Sequence, residues 1–540
     1  MRPNVIIFNP DQMRCDALHH MGNQASVTPN LDAIVREDAV SFRNAFCQNT
    51  VCVPSRCSFL TGWYPHVRGH RSMNYMLHNE ESSLLKELKN AGYYVWMNGR
   101  NDFLPAQHEQ SFYEHADTVF YNGERAQQPV PVVKDIKGNY GDSQYFSFYK
   151  GELETDKNGK FYSGDDEDVD EAIRTIRNRP KDQPFCLFIG LMAPHPPYQV
   201  EAPYFDAIDP AKLPPRISVP KDLENRPLMY QKILKNFNMN AYTEDEWNHL
   251  RACYLGMCMK VDEQFGRICQ ALKEEGLYDE TDLYFLSDHG DFTGDYGIPE
   301  KAQNLMPDCL VNVPLIIKPH KTVQTDAGIS DSMVELVDFY ATVMDLCGVT
   351  PDHVHFGKSL SPVLKNRSHK NRPYVFCEGG RLPQERDAYK EIDDAHLTPD
   401  FDYYPRVSVQ NDDQAHNKAT MIRDQRYKYI LRRTEKDEFY DLETDPREHH
   451  NKIDDPSVQK IILDMKQKML NWYQDTCDCV MLHQDARLGA EALWNKIQKY
   501  CPPEKREELR EKLRQLLEKE DAASCFAKIF EILSKPDNSN

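Results

Sequence analysis

No stretch of this chain is apolar for long enough to cross a bilayer, which excludes a helical membrane protein. A secretory signal is also missing. Met1-Arg2-Pro3 runs directly into Val5-Ile6-Ile7-Phe8, which is too short for a signal core and has no small-residue cleavage site. A cytoplasmic protein is therefore expected. Positive charge is scarce: 65 Lys and Arg stand against 85 Asp and Glu, a net charge of −20. That excess argues against nucleic acid and against docking along a polyanion. A small anionic substrate stays possible, because charge is screened beyond roughly 8 Å at physiological salt and a local cationic pocket governs binding. Internal repeats and low-complexity tracts are absent, and with them the repeat architectures. Cysteine is present at fifteen positions, but the number is odd and the residues are scattered. Cys186, Cys253, Cys269 and Cys347 sit inside apolar segments, and Cys477 with Cys479 is too little for a zinc site. All except Cys52 are expected to be reduced and structural.

At 540 residues the chain is long enough for two domains, or one large domain with an appendage. Its first two-thirds alternate apolar β-rich runs with amphipathic segments, the pattern of an α/β sheet with helices on both faces. Strands are predicted at 4–8, 92–97, 184–191, 281–287 and 313–318. Thr28-Pro29 opens a helix with a capping Thr and an early Pro, and a longer helix is predicted from Glu246 to Glu275, closed by Gly276. After Lys365 a polar stretch leads into Tyr374-Val375-Phe376. Thr420–Leu431 and Glu438–Leu442 read as two further short strands. The expected division is a catalytic domain over 1–369, a smaller domain with an antiparallel sheet over 370–480, and a helical extension over 481–540. In the extension Leu509, Leu513, Leu516 and Leu517 form one apolar stripe and Phe526, Ile529, Phe530 and Leu533 another. The oligomeric state is left open.

Two predicted strands end in carboxylates: Phe8-Asn9-Pro10-Asp11-Gln12 and Phe285-Leu286-Ser287-Asp288-His289-Gly290-Asp291. Ligands of open α/β sheets gather at the carboxyl ends of the strands, so the two clusters can meet there. Two buried carboxylates a few ångströms apart repel by about 4 kcal/mol at an effective dielectric near 20, tolerable only with a proton or cation between them. Oxygen donors favour Ca²⁺ or Mg²⁺, while His289 leaves room for Mn²⁺. Either cluster alone is as readily a helix cap or a strand end. Cys52 precedes Pro54-Ser55-Arg56, which reads as a helix start, with Gly62 as its stop. A helix N-terminus stabilises a bound anion, and Arg56, one turn in, offers a forked pair of donors. A lone cysteine in such a place would be no more than a buried thiol.

Cys52-Val53-Pro54-Ser55-Arg56 with Leu60-Thr61-Gly62 resembles the signature of the type I sulfatases, C-x-P-S-R-x-x-x-L-T-G, whose cysteine is oxidised to formylglycine. Thr28–Asp32, Ala193-Pro194-His195-Pro196-Pro197-Tyr198, Ser287–Asp291, Val313–Lys318, Ile422–Lys428 and Tyr440–Pro446 are similar to further landmarks of that family, in its order. The resemblance implies an alkaline-phosphatase-like fold: a large mixed, mostly parallel sheet flanked by helices, with a smaller C-terminal domain. It also implies a divalent metal, Ca²⁺ before Mg²⁺ or Mn²⁺, held by Asp11, Gln12, Asp288, His289 and modified Cys52. The hydrated aldehyde would attack sulfur in line, and loss of its second hydroxyl proton would then expel sulfate. A formylglycine-generating maturase is implied as a partner. His195 and Lys301 match positions that contact sulfate or assist the leaving group.

The chain departs from the family at Gly99-Arg100-Asn101-Asp102, where most members carry G-K-x-H. Arg100 replaces the lysine as a fixed cation, but Asp102 is no proton donor at neutral pH unless its pKa is strongly raised. Arg100 and Asp102 are therefore candidates for reading the substrate. Trp63–Arg71 sets basic and aromatic residues after the active-site helix, so Arg68, His70 and Arg71 are candidates for binding an anionic sugar, with Glu378 reaching in from the second domain. The expected substrate is a small sulfated carbohydrate, such as a glycosaminoglycan-derived disaccharide carrying 2-O-sulfated uronate. An aryl or steroid sulfate is a possible side activity. Phosphonate monoester and phosphodiester hydrolases resemble this chain in the same acidic clusters and in lacking the G-K-x-H histidine, although they tend to carry alanine where Ser55 stands. A binding protein with an unmodified Cys52 is the remaining alternative.

Overall fold

Period-two alternation in the first strand sets the architecture. In β1 (Asn4–Pro10), Ile6 and Phe8 enter one apolar layer while Val5 and Ile7 enter another. Such a strand is buried on both faces, as a central parallel strand must be. The computed structural model describes residues 2–78, 80–123, 136–151, 153–479 and 489–519. Around β1 lie β2 (Val40–Phe46), β3 (Tyr94–Asn98), β4 (Thr118–Phe120), β5 (Phe185–Leu191), β6 (Thr281–Leu286), β7 (Leu315–Lys318) and β8 (Gly328–Glu335), in the order β4-β3-β5-β1-β6-β7-β2-β8. All neighbours are parallel except those of β7, which is antiparallel to β6 and β2. The five strands predicted in this part are all present, and the mixed, mostly parallel sheet expected from the sequence is the one formed.

The long helix is Glu244–Glu274. Thr243 caps it and Glu246 reaches back to the Thr243 N–H at 2.6 Å, a reciprocal cap spelled by the T-x-x-E sequence. Its Phe265 packs edge-on against Phe8 at 5.4 Å and thereby fixes the helix to the sheet. The helix Gly164–Asn178 begins with the same device, Ser163 and Asp166. The cap of α1 (Pro29–Glu37) differs from expectation. Thr28 makes no capping bond there; the Asp262 carboxylate, from the long helix, accepts the N–H groups of Asn30 at 3.1 Å and Leu31 at 2.8 Å.

A second sheet joins β9 (Val375–Gly379), β10 (Ala419–Arg423), β11 (Tyr427–Arg432) and β12 (Glu438–Asp441), all antiparallel. Thr420–Leu431 is thus a hairpin, not one strand. Packing divides the chain into residues 1–351 with 355–478, and residues 352–354 with 479–540. The antiparallel sheet lies inside the first unit. In the second, Leu493, Trp494 and Ile497 of one helix gather with Leu509 and Leu513 of the next. The stripe Phe526, Ile529, Phe530 and Leu533 lies outside the described residues. No described helix is long and apolar enough to cross a membrane.

Candidate active site

Four neighbouring strands, β3-β5-β1-β6, end along one edge of the sheet. Their tips lead into Gly99–Asp102, Met192–His195, Asp11-Gln12 and Ser287–His289 respectively. The helix α2 (Cys52–Thr61) starts at this edge, and all ten of its residues are buried. It is sandwiched, and Phe59 meets Phe339 edge-on at 5.8 Å. Gly62 stops it with φ +71°, its N–H bonded to the Ser58 carbonyl. Burial and capping together hold Cys52 rigidly at the first helical position.

Cys52 Sγ lies 3.2 Å from His289 Nε2 and 3.5 Å from Asp11 Oδ1. His289 Nε2 is 3.6 Å from Asp11 Oδ1 and 3.9 Å from Asp288 Oδ1. Arg56 spans the back of this group: its Nε donates to Asp288 Oδ2 at 2.8 Å and its Nη2 to Asp11 Oδ2 at 2.9 Å. Each aspartate therefore turns one oxygen to the guanidinium and the other toward His289. His289 Nδ1 sits 2.9 Å from the Gly290 carbonyl. That bond requires the proton on Nδ1 and leaves Nε2 bare, the tautomer that ligates a metal. Ligand atoms of Asp11, Cys52, Asp288 and His289 all lie within 4.8 Å of one another. Hard oxygens, one imidazole and full burial make a donor set that fits a divalent cation. Gln12, at φ +68°, presents its Oε1 to Lys301 Nζ at 2.7 Å and its amide N–H to Asp291 at 2.5 Å.

The charges are unevenly balanced. Burial pushes the Asp11 carboxyl up, but the Arg56 and Arg100 guanidiniums beside it outweigh burial and hold it well below the carboxylate range. Arg100 Nη2 donates to Asp11 Oδ2 at 2.7 Å. Burial pulls Lys301 down, yet its interactions with Cys52, Glu300 and Asp11 outweigh burial and keep it above its usual value, so it stays an ammonium. Burial, aided by Lys301, drives His195 well below its usual range, so its imidazole is neutral. The Cys52 thiol is pushed far up by burial and by Asp11. As a thiol it would be a poor nucleophile here.

The Sulfatase family profile matches residues 3–349. The chain belongs to the sulfatase family. It is an enzyme of the sulfuric ester hydrolase class, in the alkaline-phosphatase-like fold. The multifunctional alkaline phosphatase superfamily protein PehA of Trinickia caryophylli is 26% identical over 89% of this chain and 97% of its own length. The N-acetylglucosamine-6-O-sulfatase of Bacteroides thetaiotaomicron is 25% identical over 88% of this chain and 87% of its own. Among solved structures, the phosphonate monoester hydrolase of Agrobacterium radiobacter superposes with a TM-score of 0.67 at 21% identity, covering 88% of this chain and 96% of that one. That last likeness concerns the fold.

In this sulfatase Asp11, Gln12, Cys52, Arg56, Arg100, Asp288, His289 and Lys301 form one bonded set. Asp102, at φ +54°, joins it through Arg56 at 3.5 Å. His195 shares a cavity wall with Arg100. Arg68, His70, Arg71 and Glu378 fall elsewhere, in a second polar cluster. Arg68 and His70 pair with Glu81 at 3.3 and 2.9 Å, and Arg71 pairs with Glu385. The Glu378 carboxylate accepts from His66 at 2.8 Å, and its backbone meets the loop before α2, the N–H donating to the Gln48 carbonyl at 3.0 Å and the carbonyl accepting from Asn49 at 2.8 Å. Three supporting roles carried no local signal. Ser55 donates to the Asp288 carbonyl at 2.6 Å, Asp291 orients Gln12, and Asp165 accepts the N–H groups of Met192 and Ala193, each at 2.8 Å, anchoring the loop that bears His195.

Proposed function

We propose that this sulfatase hydrolyses the sulfate ester of a small sulfated carbohydrate, with Cys52 oxidised to formylglycine as nucleophile. One observation carries the reading: Asp11 and Asp288, from adjacent strand tips, converge on Cys52 at a helix N-terminus with Arg56 fixed across both. Asp11, Gln12, Asp288 and His289 would hold the divalent ion, which would supply Lewis-acid polarisation of the sulfate oxygens. The remaining tasks belong to the chain itself. Arg56 fixes both carboxylates and sets the orientation of the residue at position 52. Lys301 and Arg100 add cationic charge on the side where sulfate oxygens accumulate charge. His195 stands next to Arg100 with its Nδ1–H given to the Pro196 carbonyl at 2.6 Å, so it is Nε2 that would meet the leaving-group oxygen, and it can donate there only once the arriving anion has brought a proton onto it. Asp102, tied to Arg56, is not needed as an acid. A cytoplasmic location belongs to the same proposal, in keeping with thiols such as Cys186 and Cys253 buried in the apolar core.

The test is expression of the full chain with a formylglycine-generating maturase, mass spectrometry of the Cys52 peptide, and kcat/KM on a sulfate ester beside a phosphonate monoester. Conversion at Cys52 and preference for the sulfate are expected. An unconverted thiol with no turnover, or a preference for the phosphonate above about tenfold, overturns the reading. The phosphonate alternative has support in Asp102 standing where a histidine is usual in the family.

A further inference from the structure

Beside the catalytic residues lies a cavity of about 370 Å³, with Arg100 and His195 in its wall. Sites for small ligands run from about 300 to 1,000 Å³, so it suits a single sugar ring or a little more. The far wall comes from two helices and one loop. Asp165 and Asp168 lie on the helix Gly164–Asn178, Gln264 on the helix Glu244–Glu274, and Met192 and Val200 on the segment after β5.

The hydrogen bonds of this wall do not close. Gln264 gives its amide N–H to Asp166 at 2.9 Å, which fixes the amide orientation and leaves its Oε1 without a partner, although the residue is only 2% exposed. Asp165 accepts only backbone N–H groups, and Asp168 accepts from Asn122 at 3.1 Å. Neither carboxylate forms an ion pair with a described residue. Of the cations nearby, Lys260 pairs with Glu201 at 2.7 Å and Asp166 at 3.1 Å, and Arg100 pairs with Asp11 through Nη2 while its Nε has no partner among the described residues. Burial and the adjacent Asp165 hold the Asp168 carboxyl up to about 7, the mark of an acid without a cation. An adjoining cavity of about 540 Å³ shares Glu201, Lys260 and Gln264 and is again richer in acids than in bases. Among the described lining residues Asp165, Asp168 and Glu201 stand against Arg100 and Lys260, so the flank away from Arg100 is short of positive charge, unlike the sulfate side with Arg56 and Lys301.

We propose that this cavity receives the leaving group and takes a primary-ammonium-bearing alcohol of about monosaccharide size, making the sulfate ester of an amine-bearing sugar the preferred substrate. The choice of class rests on the sulfate-ester reading above only for the reaction; the leaving group follows from the wall. An ammonium brings three N–H donors to Gln264 Oε1 and the two carboxylates. The carboxylate of the 2-O-sulfated uronate expected from the sequence would face like charge. A quaternary ammonium has no N–H, and among the described lining residues Phe161 is the one Phe, Tyr or Trp, too little for an aromatic cage.

Binding is measured by calorimetry on the full chain expressed without maturase, so that no turnover occurs. The probes are glucosamine 6-sulfate, N-acetylglucosamine 6-sulfate and 2-O-sulfated uronate. The amine is expected to bind at least about tenfold more tightly than either of the others. In Asp168→Asn, and independently in Gln264→Leu, the amine-to-N-acetyl ratio should fall below about threefold. Equal affinity for amine and N-acetyl forms, tighter uronate binding, or an unchanged ratio in both variants overturns the proposal. A converted enzyme that prefers phosphonates while keeping the amine ranking would defeat the sulfate reading and leave this site standing.

Discussion

Replacing Arg56 with lysine keeps one positive charge and removes the fork. In the native site the guanidinium meets Asp288 at 2.8 Å and Asp11 at 2.9 Å, with all three side chains fully buried. A lysine ammonium on its flexible stem satisfies one carboxylate and deprives the other of its Arg56 bond, although Asp11 keeps Arg100 at 2.7 Å. Losing one hydrogen bond to a charged group costs about 1.5–3 kcal/mol, and unpairing a buried charge costs about 3–5 kcal/mol. Because one cation is retained, the expected loss is about 2–4 kcal/mol. The assay is urea denaturation followed by tryptophan fluorescence, in chelator and then in excess Ca²⁺. Ion at a hundred times its Kd adds about 2.7 kcal/mol to any protein that binds it only when folded, so Ca²⁺ should recover most of the loss. In converted enzyme, kcat/KM on an aryl sulfate should fall at least about a hundredfold. A loss below about 1 kcal/mol in chelator would show that the two aspartates are neutralised some other way, and the cradle described above would be wrong.

His195→Ala should lower kcat/KM by about a hundredfold or more on an alkyl sulfate but by less than about tenfold on nitrophenyl sulfate, whose phenolate leaves without a proton; equal losses on both would remove His195 from leaving-group assistance. His115, buried against Ser83 at 2.7 Å, is held down to about 4 by burial and then by Lys86. The unfolded chain takes up that proton below about 6.5 while the folded one waits until about 4, so this stability is complete above pH 6.5 and fades as pH falls toward 4, by up to about 3 kcal/mol. His115→Gln should flatten that part of the stability–pH curve, and an unaltered slope would refute the assignment. Gly290→Ala would place a methyl 1.9 Å from the Cys309 carbonyl oxygen, backbone against backbone, and should destabilise the fold by about 3 kcal/mol in the same urea titration; a wild-type midpoint would show that the loop yields.

The catalytic edge was legible because its signals are local. Apolar alternation marks β1, β5 and β6, and the residues that follow each strand must lie at its tip. Asp11 and Asp288 could be paired from sequence alone for that reason. What escaped were bonds between distant segments. Thr28 has the residue type of a cap, yet Asp262 does the capping from far along the chain. The hairpin within Thr420–Leu431 turns at Asp424-Gln425-Arg426 without glycine or proline, so nothing in composition breaks the strand. Arg68, His70 and Arg71 have the composition of an anion-binding wall, and their partners Glu81, shared by Arg68 and His70, and Glu385, met by Arg71, could not be paired with them from sequence. Asp165, Asp168 and Gln264 look on paper like the solvated face of a helix, and only the packing of two helices turns them into the lining of a cavity.

The order of strands along the sheet edge separates two kinds of change that a lineage could make. The segments after β1 and β6, with the buried α2, carry the charges to which the proposed reaction is assigned, so alterations there should lower turnover. The segment after β5 and the two helices facing it meet those groups at few points: Arg100, His195, the backbone bonds of Asp165, Tyr198, which donates to Asp291 at 2.8 Å, and Tyr254, which donates to the Gln12 carbonyl at 2.9 Å. Selectivity among alcohols can therefore drift by single substitutions on one flank while the hydrolytic apparatus on the other stays fixed. Directed evolution toward new sulfated compounds has a small, named set of positions from which to begin.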